Sequence, residues 1–205
     1  MKSKFLTVAA LFCTFFYANA QNDPTSSEMF EPKEMSFVRG DMFVEGSLKI
    51  TTGNDIDFYA LNPKLGFFLN DKIAVGGQVS WSSFEDKATQ TKTDILGIGA
   101  YARYYFLELD DKRLKAYGEA GLGFGKNKTK IVGVEDNSNS ITADINVGLN
   151  YFFTKNLAAT FVLANVLSYN TVSPENGASA NTFKLNINLF ENIFDQPQFG
   201  LLYKF

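Results

Sequence analysis

Gln198-Phe199-Gly200-Leu201-Leu202-Tyr203-Lys204-Phe205 is the stretch whose reading decides the fold. Its odd positions, Phe199, Leu201, Tyr203 and Phe205, are all apolar or aromatic, while Gln198, Gly200 and Lys204 among the even positions are polar or small. Alternation with period two is the signature of a strand with one apolar face. Chain ends are usually frayed and polar, so an apolar face running to Phe205 implies an end tied into a sheet.

The same parity extends backward. Phe183, Leu185, Ile187 and Leu189 are also odd, so 182–205 reads as one long strand with an irregular patch at Glu191–Pro197. Seven earlier segments alternate in the same way, at 42–51, 56–70, 73–84, 92–107, 114–125, 140–153 and 157–169. The clearest sets Ile141, Ala143, Ile145, Val147, Leu149 and Tyr151 against Thr142, Asp144, Asn146, Gly148 and Asn150. Turn residues separate the segments, and no helical period intervenes, which is the all-β pattern. The links at 70–72, 108–113 and 154–156 are short, whereas 85–91, 126–139 and 170–181 read as longer polar loops. Short turns at one end and longer loops at the other are the layout of a transmembrane barrel. Each segment is also long enough, since a tilted strand crosses the hydrocarbon in roughly 9–11 residues.

The beginning of the chain carries an export signal. Lys2 and Lys4 precede the uncharged apolar run Phe5–Tyr17, and Ala18-Asn19-Ala20 is a small-x-small cleavage site, so residues 1–20 read as a signal peptide. The run is shorter than the roughly 20 residues of a membrane-spanning helix. Cys13, the only cysteine, lies within it, and a mature chain from Gln21 has neither disulfides nor thiol chemistry. Residues 21–41, with two prolines and scattered charges, read as a flexible N-terminal segment, and 42–205 as the barrel domain.

Composition narrows the function. Without Lys2 and Lys4 the chain keeps 17 basic residues against 22 acidic ones, which suits no polyanion and argues against nucleic-acid binding. The chain has no histidine, which removes Ser-His-Asp and Cys-His catalysis and histidine metal sites. Asp110-Asp111 and Glu135-Asp136 fall in turn-like stretches with counter-charges and read as hydrated surface; Asn127-Lys128-Thr129 matches a glycosylation pattern by coincidence. No cofactor or metal is expected.

The run Asn62-Pro63-Lys64-Leu65-Gly66-Phe67-Phe68-Leu69-Asn70-Asp71-Lys72-Ile73-Ala74-Val75-Gly76-Gly77, together with the terminal Phe205, resembles the outer membrane protein β-barrel domain family. The resemblance implies an all-β, eight-stranded antiparallel up-and-down transmembrane β-barrel in the outer membrane of a Gram-negative bacterium. It further implies outer-membrane lipid as surroundings and a closing signature, Phe199, Leu201, Tyr203 and Phe205, read by the barrel-assembly machinery.

The polar faces hold few charges, diluted by Gly, Ser, Asn and Tyr, as suits a crowded lumen better than a water-exposed surface. Aromatic residues such as Tyr59, Trp81, Tyr104, Phe106, Tyr151, Phe153 and Tyr169 lie toward strand ends, where interfacial girdles sit. The inward set then comprises Glu45, Lys49, Lys64, Arg103, Lys115, Glu119, Asp144 and Lys184. Buried charges favour mutual pairing, so the expected lumen is plugged by ion pairs, with Tyr101, Tyr105 and Tyr117 adding bulk and Gly97, Gly99, Gly121 and Gly123 making room. The expected role is non-enzymatic, structural or surface-interactive through the extracellular loops, with an unidentified loop ligand. A narrow channel for small solutes is the alternative, and a soluble lipocalin-like carrier with its apolar face inward is the third reading.

Overall fold

The computed structural model describes residues 35–131, 134–175, 177–186 and 198–205. The expected signal peptide 1–20, residues 21–34 and the Glu191–Pro197 patch lie outside the described residues. The strands are β1 (Met42–Thr52), β2 (Ile56–Phe68), β3 (Ile73–Asp86), β4 (Thr91–Leu109), β5 (Leu114–Ile131), β6 (Val134–Phe152), β7 (Leu157–Pro174), β8 (Ala180–Leu185) and β9 (Gln198–Lys204). Every pairing is antiparallel between sequence neighbours from β1 to β7, and β9 lies between β7 and β1, closing a ring of eight staves.

The eighth stave is two strands, not one. β8 and β9 both pair with β7, β8 through Leu167↔Leu185 and β9 through Val162↔Gln198. Asn186 donates its backbone N–H to Val166 O at 2.8 Å, so the partners of Asn186 and Gln198 on β7 are separated only by residues 163–165. The sequence between Asn186 and Gln198 exceeds that span by an even number of residues, which is why Phe183, Leu185, Phe199 and Leu201 keep one parity across the gap.

The apolar parity of every complete strand faces out. Leu48, Leu65, Ile98, Leu122, Phe124 and Leu201 are at least half exposed, and the opposite parity is buried or half-buried. A lipocalin-like barrel would show the reverse, so the third reading is overturned by side-chain direction. An outward band of Leu, Ile and Phe flanked by Tyr104, Phe153, Tyr59 and Tyr169 is stable only against lipid.

Two further expectations change. Lys126–Asn139 is not a loop: β5 and β6 run on in register to Ile131↔Val134, and β7 likewise continues to Pro174. Both faces of this extension meet water, so apolar alternation, the signal that marks a half-buried strand, is missing there. Likewise 85–91 tightens to a turn between Asp86 and Thr91, with Asp86 Oδ1 accepting the Ala88 and Thr89 N–H groups.

Met35–Asp41 also departs from the flexible reading. Met35 and Phe37 are about 1% exposed, and the chain enters β1 through a turn in which Gly40 takes a positive φ of 100°. Val38 N–H donates to Asp41 Oδ2 at 3.0 Å and Gly40 N–H to Phe68 O at 3.0 Å. Phe37 stacks on Phe68 with ring centroids 4.0 Å apart and touches Tyr105 and Phe152, so the segment is held by burial of Met35 and Phe37 together with these hydrogen bonds.

Candidate functional site

Four of the expected lumen charges converge. Arg103 on β4 and Glu119 on β5 are register partners, as are Glu45 on β1 and Lys64 on β2. Each pair sits on inward positions, but the contacts made run across the lumen as well as along the wall. Arg103 donates from Nη1 and Nη2 to the two oxygens of Glu45 at 2.7 and 3.0 Å. It also donates from Nε and Nη2 to Glu119 Oε2 at 2.8 and 2.6 Å. Lys64 Nζ donates to the other Glu119 oxygen. Two cations thus neutralise two carboxylates: the fork of Arg103 takes both oxygens of Glu45 and one of Glu119, and Lys64 takes the other.

Aromatic rings wrap this cluster. Arg103 lies 4.0 Å over the Tyr117 ring, and Lys64 lies 5.0 Å over Tyr101. Tyr117 rests on Gly148, where a Cβ would collide with its ring, and Tyr101 rests on Gly76 in the same way, with its hydroxyl over Gly66 beside the Phe43 ring. The Tyr101 hydroxyl has no hydrogen-bond partner among the described residues. Below the cluster, Tyr105 donates to Asn150 Oδ1 at 2.9 Å and Asn150 Nδ2 donates to Thr160 Oγ1 at 2.9 Å. Then come Phe43, Phe68, Phe152, Leu202 and, last, Phe37, all about 1% exposed or less. Asn150, Thr160 and Phe37 were not among the expected site residues. Their signal was weak: Asn150 and Thr160 are uncharged inward positions, and Phe37 precedes any alternating segment.

Lys115 is inward but separate. It is fully buried at the periplasmic end, 4.9 Å over Phe37, and donates to Glu108 Oε1 at 2.6 Å. Glu108, expected in a link, becomes its register partner because β4 shifts register between Tyr105 and Leu107. That bulge puts Glu108 on the Lys115 face, where its partly exposed carboxylate reaches the buried ammonium, while Phe106, Leu107 and Leu109 point outward.

Asp144, Lys49 and Lys184 stand above the cluster. Asp144 accepts a hydrogen bond from Asn146 Nδ2, and Lys49 lies 5.5 Å over the Phe58 ring. Asp144 and Lys184 line a cavity of about 880 Å³ whose floor is Glu45, Lys64 and Glu119. The lumen is therefore a polar well above a charged floor, with packed aromatic rings beneath. Phe199, Leu201, Tyr203 and Phe205 lie elsewhere, on the outward parity of β9 and the chain end, with Phe199, Leu201 and Phe205 more than half exposed.

A closed ring of tilted strands with apolar side chains outward and paired charges inward defines an integral outer-membrane β-barrel protein. The chain belongs to the outer membrane protein beta-barrel domain family, whose pattern matches residues 11–189, and its place is the cell outer membrane. Its fold is similar to that of a major outer membrane protein from Thermus thermophilus, at 10% identity, 81% of this chain and 99% of that one, with a TM-score of 0.50. Lesser likenesses are to OprG from Pseudomonas aeruginosa (13% identity, 83% and 98% covered, TM-score 0.49) and to Neisserial surface protein A (20% identity, 80% and 94% covered, TM-score 0.48). No curated protein sequence matches the chain.

Proposed function

We propose that this protein is an outer-membrane scaffold that meets its surroundings through the extracellular ends of its strands, without conducting solutes and without catalysing a reaction. The observation that carries the reading is the blocked lower lumen, where Arg103 is about 1% exposed and every layer down to Phe37 is packed. Eight strands leave an interior only wide enough for side chains. The material that could recognise a partner is instead the β5–β6 extension after Lys126 and the end of β7 at Pro174.

Planar-bilayer conductance of the refolded protein tests this. Stable insertion without openings is the expected result; discrete openings that widen when Arg103 is replaced by Ala would replace the scaffold with a narrow channel. The channel reading has one observation in its favour, the cavity above the floor, which already opens half the path.

β9 suits a second part of the same role. It is the strand that closes the ring against β1, and its outward residues Phe199, Leu201 and Tyr203, with Phe205, remain reachable from the membrane side while the ring is still open. The assembly machinery is the partner proposed to read them.

A further inference from the structure

The well above the charged floor has an electrical asymmetry that the plug does not need. At the floor, Glu45 and Glu119 are matched by Arg103 and Lys64, so that layer is neutral and internally bonded. Among the described residues, two other charges line the same cavity, Asp144 on β6 and Lys184 on β8, and neither takes part in the floor's ion pairs. They sit in one row of the wall: Asp144 is the register partner of Ser168 on β7, and Ser168 is the register partner of Lys184. Two strand spacings separate them, roughly 10 Å of wall. Both neighbours of Asp144 in that row are small. On the other side it faces Gly121, where a Cβ would stand 2.9 Å from Asp144 Oδ1, and Asn146 already orients the carboxylate by donating to Oδ2.

We infer that this well binds a small zwitterion, its ammonium against Asp144, its carboxylate against Lys184 and the Ser168 hydroxyl between them. A solute of one charge would satisfy one wall only, whereas a zwitterion satisfies both the half-buried Asp144 and the exposed Lys184 without altering the neutral floor. Charge-assisted hydrogen bonds at each end supply the affinity. A cavity of about 880 Å³ falls within the size range of small-molecule sites. This site is independent of the surface role proposed above, because none of its residues lies in the β5–β6 extension.

The test titrates the refolded full chain in detergent micelles with glycine, 4-aminobutyrate and 6-aminohexanoate, a ruler of increasing charge separation, alongside acetate and methylammonium. Amide NMR shifts of the Asp144, Ser168 and Lys184 neighbourhood report binding. Expected are saturable shifts that tighten along the zwitterion series, with Asp144→Asn and Lys184→Gln each weakening binding by about tenfold to a hundredfold. Exchanging the two charges in the double variant D144K/K184D restores binding with the ligand reversed. Ser168→Phe, which keeps both charges and fills the space between them, abolishes it; this variant also decides the matter if a charge variant does not refold. Absence of saturable shifts from all three zwitterions overturns the inference. So does equal binding of acetate or methylammonium, or an affinity unchanged in Asp144→Asn.

Discussion

The periplasmic and extracellular halves of this barrel are built from the same alternating strands and end up as opposites. In the lower half, inward positions are large, and Phe43, Phe68, Tyr105, Phe152 and Leu202 fill the space down to the inserted Phe37. In the upper half, inward positions are Ser47, Asn62, Gln78, Asn146 and Ser168, and they leave a cavity. The wall differs too. β9 pairs with both neighbours below, whereas β8 above pairs with β7 and all six of its residues are exposed. One alternation can thus serve two ends: the outer parity is fixed by lipid throughout, and the inner parity is free to be a core or a well.

Arg103 marks the boundary, and removing it is the hardest blow to the lower half. Arg103→Leu leaves Glu45 and Glu119 buried around the single Lys64, and breaking such a network from one side costs about 3–5 kcal/mol. Urea titration of the refolded barrel should show that loss; a cost below about 1 kcal/mol would mean a wet floor and would erase the contrast between the halves.

Phe37→Ala comes next. It removes the last aromatic layer and with it the docking of 35–38, for about 3 kcal/mol. Hydrogen exchange should show the Val38 and Gly40 amides, now bonded to Asp41 and Phe68, losing protection while β4–β6 keep theirs.

The upper half should tolerate far more. Replacing 127–137 with a short turn removes residues none of which, among those described, is fully buried, so the unfolding free energy from urea titration should fall by no more than about 1 kcal/mol, while any surface binding is lost. Unchanged binding across all surface ligands tried would sink the scaffold reading.

Glu135 gives the smallest effect. Lys128 and Lys130 donate to its carboxylate and pull it down to about 2. A folded-state value below the ordinary one contributes stability above the unfolded value, lost as pH falls through about 2. The pair is at the surface and screened. Carboxyl NMR should place the Glu135 midpoint near 2 at low salt and higher at high salt, with Glu135→Gln leaving the urea midpoint at neutral pH unchanged.

Eight alternating segments and their outward parity were legible in the sequence because period two is a local property that each strand carries by itself. The odd-parity phase shared by Phe183 and Phe205 survived even where the stave divides. Three things were not legible. The Lys126–Asn139 extension has no buried face and so no alternation to read. Glu108 joined the Lys115 face only because of a bulge at Phe106. Phe37 has no strand of its own and gains its place only from a finished barrel end.

The sequence by itself determined that the expected inward charges included both acids and bases, so that pairs could form. Only closure of the ring decided which ones meet, since Glu45 and Arg103 lie 58 residues and three strands apart along the sheet yet face each other across the lumen. Pairing along a wall follows from register, which short turns fix locally; pairing across a lumen follows from curvature, which exists only once the last strand finds the first.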